Sequence, residues 1–240
     1  MNNEELKTIV VELSGKASVV ALLDFINTAK KENKTYNLIF SVAYVPSEYE
    51  DDPENNIFAL GEILKMHAQR YGHNVTEMLY SAETGVWFKT IKPSLTATYE
   101  GTGSLNSLAY CHLCRLDVAA TSDASILTGE RLSHSTKVKL DQSKEIFDFF
   151  DKYFANYDIS FIRPLLNVSD DKLIDLRYKM FCDEYGFSVN KYTFPKCYLF
   201  DDTKYNNSVV SENILKYLDV LGEHMDNILD EYRYESNKLQ

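Results

Sequence analysis

The stretch Lys7–Leu13 (KTIVVEL), running directly into Ser14-Gly15-Lys16-Ala17-Ser18, decides how this chain is read. Its β-branched run predicts a short strand stopped by the Ser-Gly turn. The apolar positions Val19, Val20, Leu22, Leu23 and Ile26 then recur at helical spacing. Strand, tight turn and helix in that order put several backbone N–H groups and two hydroxyls at a helix N-terminus, a geometry that binds anions. A Ser-Gly turn before a helix is equally an ordinary structural joint, so the neighbouring stretches carry the choice.

Outward from that unit the alternation continues. Tyr36–Val45 (YNLIFSVAYV) reads as a second strand ended by Pro46, and Ile57, Leu60, Leu64, Ala68 and Tyr71 form one helical stripe over Ile57–Tyr71. His73–Leu79 is a third strand. Trp87–Ser107, with Pro93, Gly101, Gly103 and many hydroxyl residues, predicts a long surface excursion. A helix follows over Leu108–Thr121, then a short strand at Ser125–Leu127 with a turn at Gly129, a helix over Asp141–Ala155 and a buried strand at Ile159–Ile162. Ser169 is the expected N-cap of a helix over Asp170–Tyr185. Repeated strand-helix units predict an α/β fold: a mostly parallel, flavodoxin-like sheet with helices on both faces and a ligand site at the carboxyl ends of its strands. Residues 1–186 are expected to form this domain and 187–240 a C-terminal extension. Its amphipathic helix, Glu212–Tyr232, is expected to dock on the core.

Bulk properties narrow the function. With 240 residues, 45% of them hydrophobic, the chain can bury a substantial core. A net charge of -11 argues against gripping nucleic acid by overall electrostatics, because phosphate neutralisation requires clustered Lys and Arg. Much of the acid falls in Glu48–Glu54 and the C-terminal quarter, as expected of solvated loops and helix faces. The opening MNNEELKTIV has neither the basic head nor the apolar centre of a signal peptide, and no apolar run approaches a bilayer span. A soluble cytoplasmic protein without a membrane partner is expected. Cys111, Cys114, Cys182 and Cys197 are too few and too unevenly spaced for a secreted disulfide framework. Cys111-His112-Leu113-Cys114 sets two thiols one helical turn apart, which can share one edge of a metal site or pack as small hydrophobes.

Three stretches carry a family resemblance. Leu13–Ser18 resembles the SGGxDS loop of PP-loop ATP pyrophosphatases (adenine nucleotide alpha hydrolase-like proteins), with one Gly missing and Ala17 where the Asp belongs. Leu127-Thr128-Gly129-Glu130-Arg131-Leu132-Ser133-His134-Ser135 is similar to the TGxRxxES stretch of the sulfonucleotide (PAPS) reductase branch, with His134 replacing the acid. Phe161-Ile162-Arg163-Pro164-Leu165-Leu166 resembles the IRPL segment of tRNA thiolases and the PL segment of the cyano-deazaguanine synthases of queuosine biosynthesis.

The resemblance implies a domain that binds ATP with Mg²⁺, releases pyrophosphate and leaves an adenylylated group for a nucleophile. It nominates Ser14, Gly15, Lys16, Ser18, Gly129 and Arg131 for the nucleotide and Arg163 for phosphate or substrate. Ion pairing with carboxylates is an equal rival reading for both arginines. The acceptor would be a nucleobase, a tRNA or a small sulfur-bearing molecule, and a homo-oligomer is among the expectations. Ala17 removes the loop carboxylate, so another acid, with Asp24 and Asp123 as candidates, takes over or turnover is lost. A catalytically inactive nucleotide-binding or interaction module is therefore the rival to the enzyme, with a sulfonucleotide reductase-like enzyme as a third reading. By likeness to the two-thiocytidine thiolases, Cys111 and Cys114 with Cys197 would hold an iron–sulfur cluster, or a zinc with Cys182 or His112 as fourth ligand. His67, His73 and His224 have no partner at ligand spacing and read as structural. Trp87, Tyr99 and Tyr110 read as core or rim.

Overall fold

Five short β-branched or apolar segments supply the sheet, and amphipathic helices cover it. The computed structural model describes residues 6–43, 54–81, 103–132, 142–188, 215–227 and 230. In chain order the elements are β1 (Thr8–Glu12), α1 (Lys16–Lys31), β2 (Asn37–Ala43), α2 (Glu54–Arg70), β3 (Asn74–Ser81), α3 (Gly103–Thr121), β4 (Ser125–Leu127), α4 (Lys144–Ala155), β5 (Phe161–Ile162) and α5 (Asp171–Glu184). A further helical stretch covers 215–227.

The strands form one all-parallel sheet in the order β3-β2-β1-β4-β5. This is the parallel α/β architecture that the strand-helix alternation predicts. Flavodoxin itself runs 2-1-3-4-5, whereas this order matches the first five strands of the dinucleotide-binding fold. The chain moves outward from β1 through β2 to β3, then returns to the far side of β1 for β4 and β5. Right-handed crossovers force the connecting helices to change face at that reversal. Accordingly α1 and α2 pack with Ile9, Val11, Leu38, Phe40, Val42 and Leu127, while α3 and α4 pack on the opposite face with Val10, Ile39, Ala43 and Ile126. α5 joins the first layer. β1 is buried on both faces, which explains its unbroken apolar run.

Some boundaries differ from the sequence reading. α3 starts at Gly103, so 103–107 is helical although its composition suggested a loop. Burial of Ala109, Tyr110, Leu113, Cys114, Leu116 and Ala119 stabilises the helix as a unit and overrides weak local propensity in its first turn. Residues 82–102, including Trp87 and Tyr99, lie outside the described residues. The N-cap of α5 is Asp170, not Ser169. Its carboxylate accepts from the backbone N–H of Lys172 at 2.9 Å and of Leu173 at 3.3 Å, where a negative charge also meets the positive helix end.

Tyr217, Leu218, Leu221 and Met225 are buried in the same cluster as α3 and α4, and the Tyr153 hydroxyl donates to Asp226 Oδ1 at 2.8 Å. Among the described residues no helix is long and apolar enough to cross a membrane.

Candidate functional site

The reversal of strand order between β1 and β4 leaves their two carboxyl-end loops side by side. Ligands of open α/β sheets bind at such a switch point. The β1 loop is short: Glu12 ends the strand, Leu13 N–H still donates to Ser41 C=O at 2.9 Å, and α1 begins at Lys16. Ser18 organises it. Its Oγ accepts from Ser14 N–H and Gly15 N–H, each at 3.0 Å, and donates to Gly15 C=O at 2.7 Å. Two amides that an anion would use are thus held by the chain's own hydroxyl.

Gly129 touches this loop directly. A Cβ at that position would lie 2.3 Å from Ser18 N and 2.5 Å from the Ala17 carbonyl carbon, so only glycine permits the two backbones to approach this closely. The sequence nominated Gly129 by motif alone, and the contact supplies a physical reason for it. Ser14, Gly15, Ser18 and Gly129 come together here.

The β4 loop stands on buried charge. Glu130, 5% exposed, accepts from Arg163 Nε at 2.6 Å through Oε2, pairs with His112 Nε2 at 3.1 Å through Oε1, and accepts from the Thr128 hydroxyl at 3.1 Å. Burial alone would push its carboxyl upward. His112 and Arg163 outweigh that and hold it at about 2. Arg163 also pairs with Asp151 at 2.7 Å and stacks over Phe147 and Phe161. Arg131 is 5% exposed, donates to Asp171 Oδ1 at 2.6 Å and to Val168 C=O at 3.3 Å. Thr128 N–H to Ile162 C=O and Leu132 N–H to Leu166 C=O tie the TGER stretch along the IRPL stretch. Both nominated arginines are therefore ion-paired, the rival arrangement the sequence left open. Lys16 differs, since its pair with Asp175 at 2.7 Å leaves both side chains about half exposed and readily exchanged.

A second buried pair underlies the β1 loop. Arg115, fully buried on α3, lies 3.4 Å from Glu12 Oε1. Burial opposes its charge, but Glu12, Cys111 and Cys114 together raise the guanidinium above its ordinary value. Neither Glu12, Arg115, Glu130 nor His112 was singled out for this role from sequence. A Glu closing an apolar strand and an Arg or His inside an apolar helix were the available signals, and their long-range partners were not legible.

The substitute acids do not reach the loop. Asp24 pairs with Arg177 on α5, and Asp123, in a turn with φ 47, shares a groove with Thr8, Asn37 and Ser125 at the amino ends of the strands. Each carboxylate named around the loops has a cationic partner: Glu12, Glu130, Asp171 and Asp175. Of these pairs only the one with Asp175 is exposed enough to exchange readily.

Cys111 and Cys114 lie in the α3 layer and Cys182 in the α5 layer, with the sheet between them, so Cys182 cannot complete a site with the CxxC. His112 is turned to Glu130 instead. Among the described residues no three His, Cys, Asp or Glu side chains come together as metal ligands; Cys197 and Ser133–Ser135 lie outside them. His67 Nδ1 meets the Tyr185 hydroxyl at 2.8 Å and His73 Nδ1 accepts from Tyr36 N–H at 3.2 Å, which makes both structural.

No protein-family model matches the chain. A 66-residue stretch, 28% of the chain, is 30% identical to an uncharacterized protein of Methanocaldococcus jannaschii and covers 24% of it. A 4-thiouridine synthetase, solved in complex with RNA and with bound ATP, superposes with a TM-score of 0.59 at 15% identity, over 93% of this chain and 53% of its own. The chain thus spans about half the length of that synthetase. A U34-tRNA thiolase from Methanococcus maripaludis with its 4Fe–4S cluster is a looser likeness, with a TM-score of 0.43 at 15% identity over 95% of this chain and 71% of that one. What the synthetase shares with this chain is its fold, a parallel α/β sheet with helices on both faces.

Proposed function

We propose that this is a PP-loop family protein that binds ATP or a related adenine nucleotide at the β1/β4 switch point, with the phosphates against Ser14–Ser18. The observation that carries this reading is the backbone contact of Gly129 on Ala17 and Ser18, which joins two motif loops at one helix N-terminus. Lys16 is the phosphate-facing cation in this reading, because its exposed pair with Asp175 exchanges readily. Arg131 and Arg163 support the site from beneath through their ion pairs with Asp171 and the buried Glu130. The fuller reading is an enzyme acting by adenylylation or thiol chemistry on a nucleobase, nucleotide, tRNA or sulfur-bearing substrate. Its support is the motif order and the fold shared with a synthetase that binds RNA and ATP.

A second reading, nucleotide binding without turnover, is favoured by Ala17 in the loop and by the pairing of the nearby acids. One experiment addresses both. The purified chain is titrated with ATP by calorimetry, with Mg²⁺ and with a chelator, while pyrophosphate release is followed. ATP is expected to bind, and Lys16→Ala to weaken it by about tenfold. Failure of ATP, ADP and AMP to bind overturns the proposal. Binding without pyrophosphate release, across nucleobase and tRNA acceptors, selects the second reading.

A further inference from the structure

Polar side chains meet beneath α3 at the carboxyl ends of β1 and β2, and the chain's own groups leave part of their hydrogen-bonding capacity unused. Glu12 ends β1, and Ser41 is its register partner on β2. Side chains alternate along a strand, so both stand on the face of Val10 and Ile39, the face that α3 covers. From α3 comes Arg115, 3.4 Å from Glu12 Oε1. Arg115 is 0% exposed, Ser41 1% and Glu12 6%. Among the described residues, Glu12 Oε2, Ser41 Oγ and the three guanidinium nitrogens of Arg115 have no hydrogen-bond partner in good geometry, the Cys111 sulfur beside Arg115 being a weak acceptor. Buried polar atoms are nearly always hydrogen-bonded, to protein, water or ligand.

Charge and position specify what fits. One carboxylate and one guanidinium cancel, so a charged ligand would lie among them without a counter-charge, at high cost in a buried place. A neutral group that both donates and accepts matches them, and each hydroxyl of a vicinal diol does both. Glu12 also lies two residues before Ser14, at most about 7 Å of chain, so the cluster adjoins the turn that would hold the phosphates. We propose that Glu12, Arg115 and Ser41 bind the ribose diol of the nucleotide, with Glu12 Oε2 accepting from one hydroxyl, Arg115 donating to its neighbour and Ser41 Oγ completing the set. In dinucleotide-binding folds, whose first five strands run in this order, an acidic residue likewise takes a ribose hydroxyl. The turn after Glu12 is gathered by neutral hydrogen bonds to Ser18, so it can shift as the sugar enters. This inference rests on the nucleotide reading above and adds to it a selection for ribonucleotides over deoxyribonucleotides.

Calorimetric titration of the full chain with ATP, 2′-deoxy-ATP and 3′-deoxy-ATP tests the proposal. ATP is expected to bind at least about tenfold more tightly than either deoxy form, the effect of losing one hydrogen bond to a charged group. Ser41→Ala and Glu12→Gln are each expected to shrink that ratio toward one. Glu12→Gln also breaks a buried pair, so its fold is checked by thermal melting. Ser41→Ala removes only a hydroxyl without a partner, and it decides the matter where Glu12→Gln is unfolded. Equal affinity for all three nucleotides overturns the ribose site and leaves the nucleotide reading standing. A ratio that survives in every folded variant overturns the assignment to these residues. Failure of all three nucleotides to bind overturns both readings together.

Discussion

The two loops that meet at the switch point are built by different physics. Within the β1 loop Ser18 Oγ gathers Ser14 N–H and Gly15 N–H, and the ion pairs lie to either side of that turn, Lys16 with Asp175 at the exposed surface and Glu12 with Arg115 beneath. The β4 loop is held by charge, with Glu130 buried between Arg163 and His112 and Arg131 locked to Asp171. Gly129 is where the rigid loop presses on the soft one. A turn gathered by neutral hydrogen bonds to one hydroxyl can rearrange around a ligand at modest cost, whereas buried pairs resist rearrangement because separating them strands a charge. The comparison assigns adaptability to the β1 loop and positioning to the β4 loop.

Breaking the charged loop is expected to have the largest effect. Glu130→Ala leaves Arg163 and His112 facing a buried vacancy and should cost about 3–5 kcal/mol in urea denaturation; a loss below about 1 kcal/mol would show that charge does not hold this loop. The same variant sharpens the pH dependence. Glu130 titrates at about 2 in the fold against an ordinary 4.5, so its stabilisation is present above about 4.5 and is lost as pH falls toward 2. The variant should lack that acid limb. His67 and His73, lowered by burial, contribute a separate loss that begins below 6.5 and that both proteins share.

Next in size is Gly129→Ala. Its methyl group would overlap backbone atoms of Ala17 and Ser18, and the expected destabilisation is about 1–3 kcal/mol together with a measurable loss of ATP affinity by calorimetry. Unchanged stability and affinity would mean that the loops separate freely. Smallest is Ser18→Ala, expected at about 0.5–2 kcal/mol by the loss of one capping hydroxyl. If Ser18→Ala proves more damaging than Glu130→Ala, the contrast between the loops is reversed.

Much of the architecture was legible in the chain because it depends on local pattern. The β-branched runs at Thr8–Glu12 and Asn37–Ala43, the apolar triplet Ser125–Leu127 and the helical stripes between them announce strand-helix units. Motif spacing likewise nominated Ser14–Ser18, Gly129 and Arg163. What no local pattern contains is which charge neutralises which. Glu12 and Arg115 are 103 positions apart in sequence and Arg131 and Asp171 are 40, and only the order β3-β2-β1-β4-β5 brings such residues together. The same holds for Cys182, which shares a residue type with Cys111 and Cys114 but is kept from them by the sheet. The sequence by itself determined the elements and the glycine and hydroxyl chemistry of the loops, since periodicity and turn preference act over a few residues. Tertiary structure alone decided that Gly129 seats on Ser18 and that the arginines of the motifs are held by the carboxylates of Glu130, Asp151 and Asp171, because those outcomes depend on packing across the sheet.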